Sequence, residues 1–204
     1  MSDLVFTQLI CSRICHDLVG PIGALGNGIE LMELEDDPTL AKDALELLKQ
    51  SSENAARRLK FLRLAFGAAG GDDQPFPAGE VRKAALEFYA DHRFSMEWRE
   101  AEGTANDKVR IRLAMNLAMA GAAGLLRGGV LSVAVEPAEV RVVGTHDRAG
   151  LPEPVVAALE GRRRATDGQD ARIIEAYHAR LIAEAAGRTL AVRQSTGRFE
   201  IVAT

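Results

Sequence analysis

His16, Asp17, Gly20, Pro21 and Gly23 fall within one short stretch, "ICHDLVGPIG" at positions 14–23, which brings together a nucleophile, an acid and two missing side chains. Imidazole suits phosphoryl transfer, because its ring nitrogen is nucleophilic and largely neutral near pH 7. At about 100° per residue, a helix stacks His16, Gly20, Gly23 and Asn27 on one face. That row predicts an exposed ring beside a trough without side-chain bulk, where another protein's backbone could come close. Pro21 withholds the amide that would bond the carbonyl of Asp17 and loosens the turn carrying the histidine. A lone histidine on a helix is ordinarily a surface or core residue without chemistry. Here histidine, acid, glycines and proline converge on one surface, which favours a reactive site.

The elements that must position this row read as two long helices. From about Asp3 to Glu35, Leu4, Cys11, Cys15, Leu18, Ile22, Leu25, Ile29 and Met32 recur at helical spacing, with Gln8 as the polar member. Ile10, Ile14 and Leu31 widen the stripe. Asp37 and Pro38 in "EDDP" suit a helix cap and a first helical position. A second stripe follows through Ala41, Leu45, Leu48, Ser52, Ala55, Leu59, Leu62 and Phe66. Residues 1–68 therefore form an antiparallel hairpin. One hairpin cannot bury both stripes, and a symmetric homodimer completes a four-helix bundle. Pairing through the turn puts Ala56 level with His16, so Arg57, Lys60 and Arg63 stand near enough to neutralise a phosphoryl group or attract an acidic partner. The alternative is that they form the polar side of an amphipathic helix.

A Gly/Pro/Asp-rich break, "GAAGGDDQPFPAG" from Gly67 to Gly79, separates the hairpin from a second domain at residues 77–204. Helices are expected near 80–91, 107–127, 154–161 and 171–186. Strands are expected at 94–99, in "VLSVAVE" and "EVRVVGT", and in the closing pair "TLAVRQ" and "RFEIVA". The fold class is α+β, the second domain being a layer of mostly antiparallel strands with helices on one face. The chain has 204 residues and a net charge of -4, so a phosphate-neutralising nucleic-acid domain is disfavoured. The apolar run Leu113–Leu126 is too short to cross a bilayer and reads as a buried helix. The first residues lack a basic region ahead of a hydrophobic one, and the two cysteines, Cys11 and Cys15, suit a reducing compartment, so a cytoplasmic protein is expected.

Other candidates carry less. Cys11, Cys15 and His16 could suggest a metal, but both thiols fall on the expected buried seam and no second ligand pair follows. His146 and Asp147 read as loop residues, and Arg162, Arg163 and Arg164 as a solvated helix end before a docking patch.

"HDLVGPI" resembles the H-box of two-component histidine kinases, and the longer "CHDLVGPIGALGNGIELM" with "MNLAMAGAAGLLRGG" is similar to the ChpT-type histidine phosphotransferases. The resemblance implies a dimeric hairpin followed by a degenerate kinase ATPase-like (Bergerat-like) α/β sandwich. It implies His16 as phosphoacceptor and Asp17 as its acid–base helper. Arg13, Gly20, Gly23, Asn27, Arg57, Lys60 and Arg63 make up the expected docking surface. Gly20 stands where kinases with phosphatase activity often have Thr or Asn, so no side chain there orients a hydrolytic water. Active kinases also carry an N-L-L-x-N-A motif. Here Asn116 matches its first Asn and Ala120 replaces the one that holds Mg²⁺. The nucleotide loop is reduced to "THDRAGLPEP", with Asp147 at the wrong glycine spacing. The implied function is a phosphorelay intermediate that accepts phosphate from a receiver aspartate and passes it to another response regulator. Its partners would be the receiver domains of a hybrid kinase and of response regulators, with no nucleic acid and no membrane. No cofactor of its own is implied, since Mg²⁺ comes with the receiver. The alternatives are a dimeric receiver-binding scaffold or kinase inhibitor without transfer, and an active autokinase with an unusual nucleotide site.

Overall fold

A computed structural model describes residues 2–34, 38–67, 79–104, 107–168 and 170–204. Helix α1 spans Ser2–Leu34 and runs unbroken through Pro21, and α2 spans Pro38–Phe66. The connecting turn with Asp37 and the domain boundary at 68–77 lie outside the described residues. Close packing of the two helices depends on Gly28. A Cβ there would lie 2.9 Å from Leu48 Cδ2 and 3.6 Å from the Ala44 carbonyl.

The hairpin buries a different row of α1 from the seam the repeat suggests. Val5, Phe6, Leu9, Ile10 and Ile14 pack on the core, whereas Leu4, Ile22, Ile29 and Met32 are exposed. Cys11 and Cys15 are free and lie on the same surface, left uncovered by the single chain. On α2, Leu45, Ser52 and Leu59 are exposed, while Leu62 is buried. The physical reason is that apolar residues occupy more than one side of each helix. Within one chain only the sides facing the other helix and the second half are covered.

That second half starts with α3, Glu80–Tyr89. The Phe61 ring of α2 stacks on Phe88 at 4.1 Å and 17° and meets Tyr89 edge-on at 5.7 Å. Core packing continues without a break from Phe61, Leu62 and Ala65 into Ala85, Ile111 and Leu113, so the base of the hairpin belongs to the same core as the sheet.

Strand β1 (Phe94–Glu100) leads through α4 (Lys108–Ala122) to β2 (Gly129–Val135) and β3 (Val140–Thr145). Then come α5 (Glu153–Leu159), 3-10 turns at Ala165–Asp167 and Ala171–Ile173, α6 (Ile174–Ala185), β4 (Leu190–Ser195) and β5 (Arg198–Ala203). The sheet order is β1-β2-β3-β5-β4, with β1 and β2 parallel and the remaining pairs antiparallel. The parallel pair needs a crossover, and α4 provides it. Its N-terminus is capped by Asp107, whose carboxylate accepts from the Arg110 amide at 2.9 Å. Val133, Val142 and Ile201 form one inward row across the sheet, and Leu131, Gly144 and Phe199 form the next. The Phe199 ring fills the space that side chains on Gly124 and Gly144 would occupy. Accordingly α4 stops at Ala122, short of the expected Arg127, and the chain turns at Gly128 and Gly129 with φ of 109° and 116°. No described helix is long and apolar enough to cross a membrane.

Candidate functional site

His16 projects from α1 with 77% of its side chain exposed. Its helix face is open as expected: Gly20, Gly23 and Asn27 are exposed, and a Cβ on either glycine would meet nothing within 4 Å. Nδ1 of the ring lies 3.4 Å from Asp17 Oδ1, at the long end of hydrogen-bond range. In the tautomer protonated at Nδ1, that proton faces the carboxylate and Nε2 offers its lone pair to solvent.

Asp17 points the other way, into the protein, with 6% of its side chain exposed. Its Oδ1 is also 3.3 Å from Arg13 Nη1, and its buried Oδ2 has no hydrogen-bond partner among the described residues. Arg13 is in turn held by the second half of the chain, its Nε lying 2.5 Å from Oε1 of Glu175 in the first turn of α6. Burial raises the Glu175 carboxyl above the usual range, with Arg13 opposing that shift. The nearby Tyr89 hydroxyl is buried without a hydrogen-bond partner among the described residues, and burial, reinforced by Glu175, keeps it protonated. Four side chains thus form a line from solvent to core: His16, Asp17, Arg13 and Glu175.

The basic residues expected to dock a partner are distributed unevenly. Arg13 faces two carboxylates inside the contact between hairpin and sheet. Arg57 Nη2 donates to Asp91 Oδ2 at 3.0 Å, and Lys60 Nζ lies 3.3 Å from Glu80 Oε1, so both tie α2 to the α3 region. Arg63 is exposed. The weaker candidates sit in local contacts. The Arg148 amide donates to His146 Nδ1 at 3.1 Å, and Asp147 is exposed. Arg162 pairs with Glu153 at 2.9 Å and Arg163 with Asp170 at 2.9 Å. Among the described residues, no three His, Cys, Asp or Glu side chains gather to hold a metal.

Asn116 has a structural partner set. Its buried Nδ2 donates at 2.9 Å to the Ala65 carbonyl, at the end of α2, and at 2.9 Å to that of Arg112. Its Oδ1 lies 3.2 Å from His178 Nδ1. The His178 ring stacks with Phe66 at 5.6 Å and meets Phe6 at 5.5 Å, and burial beside Arg112 pushes its pKa down to about 4. Sequence reasoning did not assign Glu175 or His178. The available signal was an acid and an imidazole inside the apolar "RIIEAYHARL".

An exposed histidine beside a buried aspartate on a helical hairpin, backed by a five-stranded α+β layer, is the arrangement of a phosphotransfer protein of the histidine class. Residues 78–198 match the histidine phosphotransferase C-terminal domain. Protein phosphotransferase ChpT of Brucella abortus (strain 2308) is 32% identical over 195 residues, covering 94% of this chain and 91% of that protein. A solved 1.7 Å structure of a bacterial phosphotransferase superposes with a TM-score of 0.81 at 29% identity, covering 100% of this chain and 98% of the other. The chain belongs to the ChpT-type histidine phosphotransferases, the phosphotransferases of a phosphorelay.

Proposed function

We propose that His16 takes a phosphoryl group from the aspartyl phosphate of one receiver domain and gives it to the aspartate of a second. The observation that carries this reading is the ring itself, 77% exposed beside two glycines whose absent side chains leave open space. Nε2 attacks phosphorus in line, the P–O bond to the receiver's carboxylate breaks, and that carboxylate leaves with the electron pair. The Nδ1 proton stays on the ring facing Asp17, whose charge offsets the positive charge developing there. In the second half-reaction the new aspartate attacks phosphorus and the P–N bond breaks. Mg²⁺ carried by the receiver would supply charge compensation at the phosphoryl oxygens.

Gly20, Gly23, Asn27 and Arg63 are the open members of the docking surface. Arg57 and Lys60 would reach a partner only by leaving Asp91 and Glu80. The expected receivers are those of a hybrid kinase and of response regulators. The loss of ATP-dependent kinase chemistry is supported by Asn116, whose amide is held by two backbone carbonyls, and by Ala120 at the second motif position. A homodimer is supported by the exposed Leu4, Ile22, Ile29, Leu45 and Leu59. Free Cys11 and Cys15 suit the reducing cytoplasm.

Incubation with a radiolabelled, phosphorylated receiver should label the wild type and leave His16→Ala unlabelled. Undiminished labelling of His16→Ala would end the proposal, and labelling of the isolated protein by ATP would show an autokinase instead.

A further inference from the structure

We infer that Glu175, in the sheet-bearing half of the chain, is a positioning residue for phosphoryl transfer at His16. The inference rests on His16 being the phosphoacceptor and adds how its partner carboxylate is kept in place. Asp17 is useful to the imidazole only while it is ionised and aimed at Nδ1. Yet its side chain is buried, and one of its oxygens has no partner among the described residues. Leaving a buried carboxylate without a nearby counter-charge is costly. Arg13 supplies the counter-charge at 3.3 Å, on the same oxygen that lies 3.4 Å from the ring.

Arg13 could not do this unaided, because a long side chain on a helix surface has many rotamers. Glu175 fixes it. The guanidinium is planar, so pairing its Nε with the Glu175 carboxylate at 2.5 Å, an ion pair without hydrogen-bond alignment, restricts where Nη1 can point. Glu175 is itself rigidly placed, in the first turn of α6 between buried Ile173, Ile174 and Ala176. A buried ion pair is a poor way to gain stability, since apolar side chains of similar size serve as well. A role in orienting Asp17 accounts for a charge at that position. The sheet-bearing half therefore completes the site from behind, and α6 takes part in transfer without touching the phosphoryl group.

The test uses the full-length chain carrying Glu175→Gln, which keeps shape and loses charge, and Glu175→Asp. A double variant, Arg13→Met with Glu175→Leu, removes the charged pair without stranding either partner. Two quantities are measured: the rate of transfer from a phosphorylated receiver to His16, and the ¹⁵N signature showing which ring nitrogen of His16 carries the proton. Glu175→Gln and the double variant should fold and transfer roughly tenfold or more slowly, with the proton no longer held at Nδ1. Glu175→Asp should recover part of the rate. Wild-type rates in either folded charge-free variant would overturn the inference. So would a slowed variant whose His16 signature is unchanged, because that is what a merely structural residue would give. His16→Ala separates the two levels. Label on that variant would remove the acceptor reading and Glu175 with it, whereas an unlabelled His16→Ala beside an indifferent Glu175→Gln would remove only the role of Glu175.

Discussion

Gly23 and Gly28 lie on the same helix and should respond to substitution in opposite ways. A Cβ on Gly23 meets nothing, while one on Gly28 meets Leu48 at 2.9 Å. Gly23→Ala should therefore raise stability by about 0.5–1 kcal/mol, the cost of glycine in a helix interior. A large side chain at the same place would keep a partner's backbone away. Gly23→Trp should melt no lower than wild type yet transfer phosphate roughly tenfold or more slowly. Normal transfer by a folded Gly23→Trp would show that receivers do not use the trough. This row was legible in the sequence because it depends on helical geometry alone: residues 16, 20, 23 and 27 share a face whatever surrounds them. The inward turn of Asp17 was not legible. Its partner Arg13 is paired with Glu175, far away along the chain, just as Arg57 and Lys60 are paired with Asp91 and Glu80.

Between elements, the hairpin is clipped to the second half at two levels, by Arg13 with Glu175 and by His178 with Asn116, Phe6 and Phe66. The second clip carries a pH dependence. His178 has its ordinary value of 6.5 when exposed and about 4 in the fold, so between those values the unfolded chain binds a proton that the folded chain refuses. The associated stability is fully present above pH 6.5 and is lost as pH falls towards 4, a change of ~3 kcal/mol at 1.36 kcal/mol per pH unit. Denaturant melts of wild type and His178→Gln at matched pH should show that difference narrowing for the variant, the other titrations being common to both. An equal slope in both proteins would contradict the assignment. Element identities were legible from periodicity, including the apolar α4 and the closing strand pair. The end of α4 was not, because it is set by Phe199 packing over Gly124 and Gly144, a contact between distant segments. Asn116 was legible only as a remnant of a motif, and its bonds to Ala65 and His178 emerge with the fold.

At the scale of the whole molecule, most of the apolar stripe read from the sequence is surface that one chain leaves uncovered, with Leu4, Ile22, Ile29, Leu45 and Leu59 exposed. The repeat could not show that a second row, through Phe6, Leu9 and Ile14, packs the hairpin onto the sheet-bearing half. The wild type should sediment as a dimer. Ile29→Glu combined with Leu59→Glu should sediment as a monomer with unchanged helical content, since neither side chain supports the fold of a single chain. A monomeric wild type would remove the bundle from the account. On the proposed reading the assembly serves one event, the arrival of a phosphoryl group on the ring of His16. Intact-mass measurement after mixing with a phosphorylated receiver tests it most directly. The account predicts a single acid-labile phosphoryl group on the wild type and none on His16→Ala, and the same mass gain on both would contradict it.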